Sequence, residues 1–460
     1  MIDADRFFDP EPTKKSIAYD LYAAIKDLPI ISPHGHIDPG LFSNPNTRFN
    51  NPFEELIQPD HYLLRMLVSQ GLPLEDLLSK ENPRRNWQLF ADHFYLYRGT
   101  PSGLWLSYTM ENTFGVTEKL DSASAASIYD QINSMLSNPD FTPRAQFKKM
   151  NIEVLATTDP VTSTLGHHKA IRVSGWPGRV IPTFRADDTI NLGAVNWTDN
   201  IRCLSDASGI EINDFRSFIK ALERRRAQFK SLGATATDTS CFLPETGSLS
   251  SLEVEAIFQR ALKGEASPED AASFSSHMLI EMARMSVEDG LVMQLHSGIY
   301  RNHNPEVFKR FGADMGFDIP VCTEFTLNLK PLLDRFGNNN KLTLIIFTLD
   351  ETHYARELAP LAGAYPSLRL GAPWWFQDSW NGMNHYFDQV METAGLYNTA
   401  GFVDDTRSFL SIPSRHDVWR RASANWLAGL LVRHLIDRKD AEEMAYELAV
   451  GLAKRSYRLD

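Results

Sequence analysis

The chain reads as an α/β protein built of parallel βα units, which predicts a closed (β/α)8, TIM-like barrel with a helical insertion after strand 1. Three observations carry this. Short apolar runs alternate with amphipathic stretches from about residue 141 to the C-terminus. Eight runs qualify as strands, and the polar residues that follow them are the kind that build a shared site. Between residues 40 and 140 the rhythm turns helical and aromatic-rich, as expected of an insertion folded over the end of the first strand.

Taken in order, residues 1–13 read as a polar arm and Ser16–Asp27 as a helix, with Ile17, Leu21, Ala24 and Ile25 on one face. Ile30-Ile31 starts strand 1, and Pro33 stops it because proline cannot donate to a ladder. In the insertion, apolar residues recur at three and four (Leu63, Leu64, Met66, Leu67), with turn clusters such as Glu81-Asn82-Pro83 between helices. Pro143–Met150 is a helix with proline in its first turn. Strands 2 to 5 are expected at Ile152–Thr158, Arg179–Phe184, Ala234–Cys241 and Leu291–Leu295, and strands 6 to 8 at Lys341–Leu349, Ser367–Leu370 and Thr399–Val403. Helices are expected at Asp214–Ser231, 251–263, 268–288, 414–436 and 439–456. The organisation is therefore 1–39 (arm, helix, strand 1), 40–140 (insertion) and 141–460 (the rest of the barrel and the closing helices).

Composition narrows the function classes. A net charge of −12 argues against nucleic acid as partner and allows an anionic substrate only where basic side chains gather locally. Three widely spaced cysteines give no disulfide framework and point to a reducing compartment. The first twenty residues carry acids and no apolar core of a signal peptide, and no apolar run approaches a membrane span. A soluble, cytoplasmic protein is expected.

The strand ends carry the chemistry. His34 and His36 flank Gly35, and residues i and i+2 of an extended segment point to one side, so both imidazoles can reach one divalent cation such as Zn²⁺. Strand 3 ends in Arg185, strand 5 in His296, strand 7 is followed by Trp374 and Trp375, and strand 8 by Asp404, Asp405 and Arg407. Two histidines and a carboxylate leave a cation with an open position, the pattern of a catalytic site. Each residue alone also reads as ordinary structure: a core histidine, a packed tryptophan pair, an Asx turn. In the insertion, Asp60-His61-Tyr62 reads either as a capped helix start or as an acid–base pair folded onto the cation.

With those residues on the page, the sequence resembles the uronate (glucuronate) isomerase family of the amidohydrolase superfamily over nearly its whole length. The resemblance rests on Asp27-Leu28-Pro29-Ile30 before the histidine pair, Asp60-His61-Tyr62 with Arg65, Thr157-Thr158-Asp159-Pro160 and Phe184-Arg185. It continues through Val292–His296 with Arg301-Asn302, Trp374-Trp375-Phe376 and Asp405-Thr406-Arg407-Ser408-Phe409-Leu410. It implies a distorted (β/α)8 barrel binding one divalent metal, usually zinc, through His34, His36 and Asp405. It also implies that His61, Tyr62, Asp405 and Arg407 act on the reacting carbons. Arg185 and Arg455 would meet the substrate carboxylate. Read from the residues, His296 is a further metal ligand, a partner behind the ligands or, with Trp374 and Trp375, a substrate-binding residue. The implied reaction interconverts D-glucuronate with D-fructuronate and D-galacturonate with D-tagaturonate, by proton transfer between C2 and C1 through a cis-enediol. A homo-oligomer acting on a small uronate is the matching expectation.

The chain departs from the family pattern at Gly35, at Asp238-Thr239-Ser240 after strand 4 and at Thr348-Leu349-Asp350 after strand 6. These departures keep open a metal-dependent hydrolase or isomerase of the same superfamily acting on a different sugar acid. The absence of lysine from Ala234–Cys241 disfavours a two-metal hydrolase. A non-catalytic sugar-acid binder is a third reading, opposed by the joint presence of His34, His36, Asp405 and Tyr62.

Overall fold

A computed structural model of the chain describes residues 2–194 and 196–459. Its centre is a curled sheet of seven parallel strands that forms a half-barrel: β1 (Ile30–Ser32), β2 (Ile152–Pro160), β3 (Arg179–Arg185), β4 (Ala236–Cys241), β5 (Val292–Ser297), β8 (Leu344–Phe347) and β9 (Leu368–Leu370). Two further short strands, β6 (Ile299–Tyr300) and β7 (Ile319–Pro320), pair antiparallel outside this sheet. Chain order and spatial order agree around the half-barrel, as βα crossovers require. β5 and β8 are buried along their whole lengths, which is why they read as continuous apolar runs rather than as alternating ones.

The expected eighth strand is reduced to one bridge, Leu370 with Thr399. Thr399–Val403 is apolar because it packs against a helix, with the Phe402 ring stacked 4.9 Å from Trp419. Its backbone leaves the ladder at Gly401 (φ +76°) and turns again at Asp405 (φ +42°). A Cβ at Gly401 would fall 2.6 Å from the Ala453 nitrogen, so glycine lets this segment lie directly on the C-terminal helices. The seam with β1 is bridged by the His36 amide donating to the Thr406 carbonyl (3.0 Å).

The helices start where capping chemistry places them. The first, Pro12–Ile25, opens four residues earlier than its apolar spacing suggests, because Glu11 accepts from the Thr13 and Lys14 amides. Pro268–Asp289 opens on a Ser267/Asp270 capping box and ends at Gly290 (φ +82°), which turns the chain into β5. Helices between β1 and β2 share a second apolar core (Phe42, Phe53, Trp87, Phe90, Ile132) that also takes in Ile30, Ile152 and Phe409 of the half-barrel. No helix among the described residues is long and apolar enough to cross a membrane.

The helix Ile412–Val432 is buried on nearly every side yet carries five charged or titratable side chains, each with a partner. Arg420 donates to the carbonyls of Lys26 (2.7 Å), Leu28 (2.9 Å) and Pro29 (2.9 Å), just before β1. His416 lies 3.2 Å from Asp404, and Arg415 donates to Asp378 (2.8 Å). Asp417 accepts from Arg421 (3.0 Å), Arg6 (2.5 Å) and the Tyr22 hydroxyl (2.5 Å).

Candidate active site

The C-terminal ends of the strands open into a narrow cleft lined by histidines, carboxylates and guanidinium groups. His34 and His36 stand at the end of β1 with rings nearly perpendicular (83°). Their Nε2 atoms lie 3.3 and 3.2 Å from one oxygen, Oδ1, of Asp405. That oxygen is buried and makes no aligned hydrogen bond. The other, Oδ2, accepts from the Trp374 indole at 2.6 Å, which fixes the carboxylate with Oδ1 toward the imidazoles. Burial alone would raise the Asp405 carboxyl, but the two imidazoles beside it hold it well below the usual carboxylate range. The left-handed backbone at Asp405 is a strained setting, of the kind functional sites retain. Two imidazole nitrogens and a carboxylate oxygen, all within 4.8 Å of one another, fit a divalent cation of zinc's character with positions left for substrate.

His296 closes the floor. It stacks on Phe347 (4.2 Å, 10°) and on His34 (4.8 Å, 28°), and its Nδ1 lies 2.8 Å from Asp238. With Nδ1 carrying the proton, Nε2, which has no protein partner, presents a lone pair. Burial pushes the His296 pKa down to about 4, so the ring is neutral near pH 7. Asp238 is surrounded differently: burial would raise it, but Arg185 and His296 outweigh burial and keep it ionised. Arg185 in turn reaches Asp238 (3.5 Å) and Asp187 (2.8 Å).

His61 and Tyr62 begin the helix His61–Ser69, whose N-cap Asp60 accepts from the Tyr62 amide (2.9 Å). Trp375 seats both rings, 4.9 Å from His61 and 5.6 Å edge-on from Tyr62. Burial and the Arg407 charge push the His61 pKa down to about 3, so its imidazole is neutral. Burial drives the Tyr62 phenol well above 10, opposed by Arg415, whose guanidinium lies 5.7 Å from the ring.

The structure therefore brings together His34, His36, His61, Tyr62, Arg185, His296, Trp374, Trp375, Asp405 and Arg407. It does not bring in Arg455. That residue lies on the C-terminal helix Leu452–Tyr457 with its side chain 56% exposed, paired with Glu447 at 2.6 Å, outside the cleft. The family resemblance alone put it at the substrate carboxylate; its partner one helical stretch earlier takes the guanidinium to the surface.

Three cleft residues had no assigned role in the sequence reading: Asp238, Arg301 and Asp314. Asp238 sits within β4, in the stretch where the chain departs from the family pattern. Arg301 lies in the block that carries the family resemblance, and it donates to Asp318 (2.6 Å) and Ser240 (2.7 Å). Asp314 sits in a loop with no periodicity to flag it. A larger hollow lies between the N-terminal arm and the insertion, lined by Arg6, Tyr95, Leu104 and Lys119 among others. No potential metal-binding cluster of histidine, cysteine or acidic residues lies there among the described residues.

Known proteins resemble the chain in sequence and in fold. The glucuronate isomerase family model matches residues 11–454. A uronate isomerase of Nostoc punctiforme is 53% identical over 467 residues, covering 100% of this chain and 99% of the relative. The crystal structure of glucuronate isomerase from Caulobacter crescentus superposes with a TM-score of 0.98 at 47% identity, covering 100% of this chain and 97% of that one. The uronate isomerase structure from Thermotoga maritima gives 0.94 at 26% identity, covering 99% of both chains.

Proposed function

Because the chain belongs to the glucuronate isomerase family and is an isomerase, we propose that it interconverts D-glucuronate with D-fructuronate and D-galacturonate with D-tagaturonate, moving a proton between C2 and C1 through a cis-enediol. One observation carries the reading: both Nε2 atoms of the His34/His36 pair converge within 3.3 Å of a single Asp405 oxygen, in a cleft that also holds Tyr62, His61 and three arginines.

His34, His36 and Asp405 would hold one divalent cation, with zinc the fitting choice for this donor set. When bound, the cation supplies Lewis-acid stabilisation of the enediolate oxygens, commonly the largest catalytic contribution. The remaining work belongs to side chains. Arg185 binds the carboxylate of the open-chain sugar, and Arg407, which the resemblance puts at the reacting carbons, is read here as a second carboxylate donor because its guanidinium already faces the Asp314 carboxylate; a guanidinium can donate two parallel hydrogen bonds to a carboxylate. Trp374 and Trp375 wall the cleft and exclude water from the reacting carbons. The Tyr62–His61 pair takes the C2 proton. Neutral His61 has an unpartnered Nδ1, and the Arg415 guanidinium, 5.7 Å from the Tyr62 ring, offsets part of the burial that holds the phenol protonated. The protonated partner is then placed to return the proton at C1. No redox cofactor enters the balance: one C–H bond breaks, another forms, and the carbonyl moves from C1 to C2.

In the same reading the protein is a cytoplasmic homo-oligomer that handles a small anionic sugar. Light scattering reads its assembly. The test of function is incubation of the zinc-loaded protein with each uronate in D₂O. Ketose should form, with deuterium at the exchanged carbon. Neither turnover nor labelling of either sugar would overturn the assignment. Wild-type C2 exchange in Tyr62→Phe would move the base to His61.

A further inference from the structure

The geometry points to Asp314 as a built-in competitor for the substrate carboxylate: an internal anion that occupies Arg407 until the uronate displaces it. The inference rests on the uronate reading above and names what sets affinity at that site.

The segment between β6 and β7 is a strap with a fixed stem. Ile299 pairs with Pro320 and Tyr300 with Ile319. Arg301 binds Asp318 at 2.6 Å, and the Asn302 amide donates to the same carboxylate at 2.8 Å. The tip is seated on the insertion. At Gly316 (φ +87°) a Cβ would fall 2.7 Å from the His61 carbonyl oxygen, and Arg310 pairs with Glu75. This close approach puts Asp314 at the rim of the cleft, beside the residues that begin the helix His61–Ser69.

Three guanidinium groups face that cleft, and their partners differ. Arg185 has Asp187 and Asp238; Arg301 has Asp318. The ion-pair partner of Arg407 is Asp314, at 3.4 Å. That contact is long, and the buried Arg407 Nε has no hydrogen-bond partner. The pair is also partly wet, with side chains 32% and 50% exposed. A long, screened ion pair contributes little, so exchanging Asp314 for a carboxylate that engages the guanidinium fork in two aligned hydrogen bonds is favourable. Burial would raise the Asp314 carboxyl, but Arg407, Arg301 and Arg185 outweigh burial and keep it anionic. A neutral sugar cannot make that exchange, so the same residue that lowers uronate affinity also screens out uncharged hexoses.

Asp314→Asn tests this, because asparagine keeps the shape and tolerates the left-handed backbone (φ +64°). Asp314→Gly, which suits that backbone equally, is the second variant. In the zinc-loaded protein, KM for D-glucuronate should fall about fivefold in both variants, equivalent to about 1 kcal/mol. Calorimetric titration with D-gluconate, a sugar acid that lacks the aldehyde and cannot isomerise, should show a Kd lower by a similar factor. An unchanged KM and Kd in both variants would make Asp314 a bystander and overturn the inference. A raised KM and Kd would also overturn it, by showing that Asp314 holds the ligand rather than competing with it. A wild-type protein inert to both uronates would strike the uronate reading alone, and the gluconate titration would still decide the role of Asp314.

Discussion

Arg415→Met removes a guanidinium that is 2% exposed and has anions on two sides. Asp378 lies 2.8 Å away and Asp60 4.0 Å, while the Trp105 ring is 3.9 Å from the guanidinium carbon. Methionine fills a similar volume, so the cavity cost is small. What remains are two buried carboxylates without a countercharge. Removing one member of a buried ion pair typically costs about 3–5 kcal/mol, and the cation–π contact with Trp105 adds on the order of 2 kcal/mol when desolvated. A loss of at least about 3 kcal/mol is expected near neutral pH.

The loss should also depend on pH. Burial pushes the Asp378 pKa up from 3.8 to about 7, against the opposing pull of Arg415. A carboxyl whose folded pKa lies above its unfolded value binds its proton more tightly when folded, so stability falls as pH rises between the two values. In the wild type that decline ends near pH 7; without Arg415 the folded value moves higher and the decline continues. The deficit of the variant therefore widens above pH 7 and narrows below it. Urea unfolding followed by tryptophan fluorescence, at about pH 6 and about pH 8.5, reads both the size and the slope. A deficit under about 1 kcal/mol at both values, or one equal at both, would refute the reasoning.

Other outcomes follow from the same geometry. Trp374→Phe frees Asp405 Oδ2 and should weaken zinc binding about 10–100-fold, read by chelator competition; unchanged affinity would remove the indole from the cation's support. Asp405→Asn should cost more, at least about 100-fold, and full zinc content after dialysis would count against the ligand set. Arg455→Ala should leave KM within about twofold, since an exposed ion pair contributes little; a larger rise would return that residue to the site. His61→Gln should lower kcat without changing the shape of the kcat pH profile between about pH 5 and 9, because the wild-type imidazole, held near a pKa of about 3, does not titrate there; loss of an acid limb would show that it does.

Much of this architecture is legible in the chain itself because parallel strands buried on both faces must be apolar throughout. β5 and β8 could be located on that ground alone. The same logic misplaces the last strand. Thr399–Val403 is apolar for the sake of Trp419 and its helix, and a hydropathy pattern does not distinguish burial against a helix from burial in a ladder. The site divides along similar lines. His34, His36, Asp405, Arg185 and His296 follow short apolar runs, so position supports chemistry. Arg455 had residue type without position, and Glu447 decided where it points. The Asp238–His296 contact joins residues 58 apart across adjacent strands, a pairing that exists only once β4 and β5 are in register. Asp314 reaches the cleft through the seating of Gly316 on His61, and loop sequence does not encode that kind of contact in any period.

The buried helix Ile412–Val432 works as a gauge block. Through Arg420 it indexes the run-up to the histidine pair, through His416 the residue before Asp405, and through Arg415 the turn that launches Tyr62. The sheet does not close on itself at that seam, so the span between the His34/His36 pair and Asp405 is set by this rod and by the His36–Thr406 backbone bond rather than by strand count.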